Sequence, residues 1–145
     1  IKMKKIIFTV FMALLVLNVS AKGNKNKSKV SVHKIVFQLT SNDTMAHKSL
    51  MKQLNNITSV APTTKIEVVC HGPGIYLLVN DKTTMLQKIQ ELKNKGVTFA
   101  ACENTLKERN ISKDKIIPEA FFVPSAIVEI VIKQEEGWSY IKSGF

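Results

Sequence analysis

Past residue 31 the chain alternates between short, β-branched apolar runs and longer stretches in which apolar side chains return every third or fourth position. That alternation predicts a parallel sheet covered by helices. The first run, Val32 to Leu39, ends at Thr40-Ser41-Asn42-Asp43, a cluster able to cap a helix on which Ala46, Leu50, Leu54 and Ile57 share one face. Pro62 closes that unit. Lys65 to Cys70 reads as the second strand, broken sharply by His71-Gly72-Pro73-Gly74, and Ile75 to Val79 reads as either a short helical turn or a buried extended piece. Thr83 to Lys95 predicts a helix with Met85, Leu86, Ile89 and Leu92 inward, stopped by Gly96 where a left-handed residue is wanted.

Val97 to Ala101 is the third strand, and Cys102 opens a short helix that runs to Arg109. Phe121-Phe122-Val123 is the fourth strand. Pro124 suits the first position of the next helix, with Ala126, Ile127, Ile130 and Val131 toward the core and Gly137 as its stop. Trp138 to Lys142 reads as a fifth strand at the edge. The pattern predicts α/β, a single three-layer domain with a mainly parallel sheet of about five strands flanked by helices. The apolar run from Phe121 to Ile132 exceeds what one small domain obviously needs to bury.

Residues 1–21 read as a secretory signal outside this pattern: Lys4 and Lys5 are basic, Ile6 to Leu17 are apolar, and Val19-Ser20-Ala21 offers the small residues a signal peptidase reads. The apolar run falls short of the about 20 residues that span a bilayer. Cleavage after Ala21 predicts a periplasmic or secreted protein with no stable membrane insertion, and a retained anchor is the alternative. The polar stretch 22–31, with Lys22, Lys25, Lys27 and Lys29, reads as a disordered leader, and 32–145 as the folded domain. Loss of three lysines with the signal lowers the net charge from +10 to +7, and much of the remainder sits on the leader. A nucleic-acid reader carries its charge on the fold, so no nucleic-acid partner is expected.

Cys102 is the strongest chemical candidate, because a thiol at the start of a helix meets free N–H groups and a partial positive charge that favour the thiolate. His71, at the end of the preceding strand, is a proton partner or hydrogen-bond donor if the two strands are close. Gly72 lets a backbone approach a ligand or merely turns the chain, while Asn104 and Thr105 either donate to an anionic sulfur or cap the helix. Cys70 reads as a small buried core residue, with a Cys70–Cys102 disulfide as the alternative in an oxidising compartment. His33 and His47 read as surface residues. No Cys-x-x-Cys or spaced His pair marks a metal site, and no phosphate-binding glycine loop or serine elbow appears, so neither metal nor cofactor is expected.

Four blocks occur in one order: Ile66 to Gly74, Gly96 to Leu106 with its Cys102-Glu103-Asn104-Thr105-Leu106 turn, Val123 to Ile130, and Gln134 to Ile141. Together they resemble the DsrE/DsrF-like family over about residues 32–143. The resemblance implies a compact α/β domain assembled as a homotrimer or homohexamer. It also implies a cysteine after a central strand that carries a persulfide in the sulfur-relay members. Cys102 stands at that position, His71 and Gly72 match a His-Gly-Pro turn of the similar branch, and Asn104 matches its Cys-x-Asn-Thr-Leu pattern. The implied function is sulfur handling through Cys102, with a sulfur donor or acceptor, protein or small molecule, as partner. The alternative is a non-catalytic binding or assembly module in which the thiol is structural or redox-sensing.

Overall fold

A computed structural model describes residues 32–143, so the expected signal and leader lie outside the described residues. The elements run β1 (Lys34–Leu39), α1 (Thr44–Val60), β2 (Lys65–Cys70), a 3₁₀ segment (Gly72–Leu78), α2 (Leu86–Asn94), β3 (Val97–Cys102), α3 (Glu103–Glu108), β4 (Phe121–Val123), α4 (Ala126–Glu135) and β5 (Ser139–Ser143). The five strands form one sheet in the order β4-β3-β2-β1-β5, every neighbouring pair parallel. The predicted architecture is the observed one, with β5 at the edge beside β1. Among the described residues no helix is long and apolar enough to cross a membrane.

Local chemistry accounts for the boundaries. Asp43 caps α1 by accepting from the N–H groups of Met45 at 2.7 Å and Ala46 at 2.9 Å. Gly96 takes the left-handed conformation after α2, at φ +88°, where a side chain would be strained. The helix around Leu86 starts later than expected because Thr83 Oγ1 accepts from Met85 N at 3.2 Å and holds the approach as a turn.

Strand alternation sorts the core onto two faces. One face carries Phe37, Leu39, Val68, Cys70, Phe99 and Ala101 and is covered by α1, the 3₁₀ segment, α2 and α3 through residues such as Leu50, Leu54, Ile75, Ile89 and Leu106. The other carries Val36, Val69, Ala100, Cys102 and Val123 and packs on α4 through Ala126 and Ile130. One helix shields a sheet face poorly. Ile127 and Val131, expected to face the core, are instead 55% and 46% exposed, as are Val128 and Ile132 at 55% and 41%. The helix also starts later than expected: Ser125, not Pro124, occupies the cap and Ala126 the first turn.

Beneath α4 lies a charged cluster. Glu67, 4% exposed, meets Lys133 at 3.3 Å through Oε2, while its Oε1 has no hydrogen-bond partner among the described residues. Lys133 also reaches Glu129 at 3.3 Å and lies 5.0 Å from the Trp138 ring centroid. Burial pushes the Glu67 carboxyl up and outweighs the pull of Lys133. A carboxyl that holds its proton more tightly when folded contributes stability that is lost as pH rises from its unfolded value through its raised folded value. Thermal unfolding from pH about 4.5 upward is therefore expected to show a decline that Glu67→Gln flattens. An unchanged slope in the variant assigns the decline elsewhere.

Candidate functional site

The C-terminal ends of β3 and β4 are where successive connections part. α3 leaves β3 and packs on one face of the sheet through Leu106, whereas α4 leaves β4 and packs on the other through Ala126 and Ile130. Diverging connections at the carboxyl ends of parallel strands open the crevice in which such sheets hold ligands. Cys102 is the last residue of β3, paired in register with Val123 at the end of β4, and so stands at that switch point.

The geometry differs from the sequence expectation in its source of donors. Cys102 occupies the cap position of α3, but its side chain makes no capping bond there. Its sulfur instead accepts from Ala126 N at 3.3 Å, the first N–H of α4, so the positive end of the longer helix is turned on it. Cys102 is also buried, at 4% exposure, among apolar neighbours, where a polar, open turn was expected. The cause is α4: its first turn closes over the end of β3, a tertiary contact between positions 24 apart that no local pattern carries.

Cys70 pairs with Ala101, so His71 and Cys102 each stand one residue past the last paired rung of β2 and β3. The His71 amide continues the ladder to Leu39 O at 3.1 Å. Burial lowers the imidazole's basicity, and Glu108 only partly offsets it, so the ring favours its neutral form. Its Nε2 lies 2.8 Å from Nε2 of Gln38, whose Oε1 accepts from the Tyr140 hydroxyl.

The remaining predicted residues divide. Gly72 is left-handed, at φ +52°, and spends its N–H on Thr105 Oγ1 at 3.1 Å. That bond ties the loop after β2 to the start of α3, so Thr105, 4% exposed, is a clamp and not a cap. Asn104 is exposed and takes no part in it. Cys70 is fully buried on the opposite sheet face from Cys102, its thiol pushed up by burial, and both thiols are free. His47, expected at the surface, is 7% exposed and donates through Nε2 to Ser41 O at 2.9 Å. Among the described residues no cluster of three His, Cys, Asp or Glu side chains is arranged to hold a metal. Two surface grooves lie away from Cys102, one of about 370 Å³ between α1 and α2 and one of about 460 Å³ around Asn42, His47, Tyr76 and Lys82.

Gln38, Tyr140 and Ala126 escaped sequence reasoning. The first two meet only because β5 returns to pair with β1, with Val36 opposite Tyr140. The available signal was the polar Gln38 interrupting the apolar run Ile35 to Leu39.

Fold and site together define a small α/β protein with a cysteine held at a topological switch point. The chain belongs to the DsrE/DsrF-like family, whose description matches residues 33–143. That family is associated with sulfur relay. Among solved structures, MTH1491 from Methanobacterium thermoautotrophicum is 30% identical with a TM-score of 0.73, the match covering 76% of this chain and 98% of that one. BT1422 from Bacteroides thetaiotaomicron, at 16% identity and TM-score 0.63, covers 75% of this chain and 93% of its own. The ychN protein from E. coli, at 8% identity and TM-score 0.64, covers 77% and 99%; these last two show likeness of fold alone. No curated protein matches the chain.

Proposed function

We propose that the protein is a sulfur carrier in which Cys102 accepts sulfane sulfur and passes it on. The Cys102 thiolate attacks the outer sulfur of a polysulfide or thiosulfate. A sulfur–sulfur bond forms on the protein, and the donor leaves as the shortened polysulfide or as sulfite. The Ala126 N–H aimed at Sγ carries this reading, because the N-terminal end of a ten-residue helix stabilises negative charge on that sulfur. His71, on the adjacent strand, is the neutral hydrogen-bond donor of this reading. A sulfur donor and an acceptor, protein or small molecule, are the partners, and the basic–apolar–small pattern of residues 1–21 supports export before the carrier acts.

The apolar flank of α4 supports self-assembly as part of the same reading, since Ile127, Val128, Val131 and Ile132 are all exposed on the helix that covers Cys102. The second reading, a binding or assembly module with a packed thiol, is favoured by the 4% exposure of Cys102.

Intact mass after incubation with polysulfide decides between them. The wild type is expected to gain the mass of one or more sulfur atoms, reversed by dithiothreitol, and Cys102→Ser to gain none. No gain on the wild type, or an equal gain on the variant, removes the carrier reading. Sluggish reaction of Cys102 with a thiol reagent at neutral pH then supports the module.

A further inference from the structure

Tyr140, Gln38 and His71 form a hydrogen-bonded chain across the sheet face that carries Cys102. Gln38 sits two residues beyond Val36 on β1, opposite Lys142 on β5, and Tyr140 sits opposite Val36. An amide nitrogen carries only hydrogens, so the 2.8 Å contact between Gln38 Nε2 and His71 Nε2 requires a lone pair on the imidazole side. In this orientation the amide oxygen also has a partner, the Tyr140 hydroxyl, which donates to Gln38 Oε1. A flipped amide would set Oε1 against the ring, would demand a proton on Nε2, and would make Tyr140 an acceptor.

We infer that Gln38 and Tyr140 are positioning residues that fix His71 as the Nδ1–H tautomer. The ring then offers its proton from the nitrogen that Gln38 does not occupy. Its meaning for chemistry rests on the reading of Cys102 as the sulfur-accepting residue. The tautomer itself rests on the hydrogen bonds alone. A ring whose tautomer is locked presents the same donor through every cycle of sulfur loading and release, whereas an unlocked ring exchanges its donor and acceptor nitrogens. The other charged groups nearby are Glu108 on α3, which favours the protonated ring, and Lys142 on β5, which faces the same side as Gln38.

Long-range proton–nitrogen NMR of the histidine rings in the full chain, at mildly alkaline pH, reads the tautomer without any activity. The wild type is expected to show His71 as Nδ1–H, Tyr140→Phe a mixture of both tautomers, and Gln38→Glu the Nε2–H form with a raised titration midpoint. Rates of sulfur uptake by intact mass are expected to fall by about tenfold in Gln38→Leu, the lower end of the effect known for residues that orient metal-bound histidines. A wild-type ring protonated on Nε2, or a Tyr140→Phe ring identical to wild type, overturns the inference, as does an altered tautomer with unchanged uptake. A wild type that shows Nδ1–H yet takes up no sulfur upholds the tautomer lock and overturns the carrier reading instead. Amide NMR dispersion of each variant confirms that it folds.

Discussion

Gly74→Ala is expected to cost about 3 kcal/mol or more of folding stability. A methyl group built there stands 2.2 Å from the carbonyl oxygen of Leu39, 2.6 Å from its carbonyl carbon and 2.9 Å from Thr40 N, all of them backbone. None of these atoms has a flexible way out. Leu39 is fully buried, and the same carbonyl accepts from His71 N at 3.1 Å, so retreat of β1 breaks the rung that places His71. Gly74 is thus required for a close approach of backbone to backbone, unlike Gly96, where the demand is for a left-handed turn. Chemical denaturation checks this: the midpoint should fall with an unchanged slope. A loss below about 1 kcal/mol would show that the 3₁₀ segment slides freely on β1.

Val131→Lys is expected to convert a self-associated wild type into a monomer, read by light scattering at micromolar concentration. Val131 is 46% exposed and lies one turn from Ile127 on α4. Removing the exposed part of one such side chain from water contributes roughly 1 kcal/mol, and an ammonium at the same point adds a desolvation penalty of several kcal/mol. Together these weaken association by more than about a hundredfold. The lone chain should keep its fold, because the side chain leaves no cavity and lysine forms helix at least as well as valine. A wild type that is monomeric under these conditions removes the assembly reading, and an oligomer untouched by the substitution moves the interface off this flank.

Much of the fold was legible because local chemistry and tertiary structure agree. The capping cluster Thr40 to Asp43, the Gly96 stop, the β-branched run of Lys65–Cys70 and the left-handed Gly137 each mark a boundary that the structure reproduces. The errors share one cause, which is that neighbours in space were strangers in sequence. The inward face of α4 was misjudged because an apolar stripe does not state how much of itself a three-layer core will cover. The burial of Cys102 depends on a helix that starts 24 residues later, and the setting of the Gln38 amide that meets His71 depends on Tyr140, 102 residues beyond Gln38. The candidate cysteine itself was visible, since a strand that ends in a thiol before a polar turn is a local pattern. What surrounds the sulfur was not.

Cys70 and Cys102 stand on adjacent strands but back to back, with the hydrogen-bonded ladder between them. A pair so arranged cannot close on itself, so Cys70 cannot resolve an oxidised Cys102 by forming a disulfide. A sulfenic acid on Cys102 is left to an outside thiol, to capture by a backbone nitrogen, or to advance toward sulfinic acid. The sheet thereby makes any disulfide formed by Cys102 a two-molecule event, dependent on the thiols that share its surroundings.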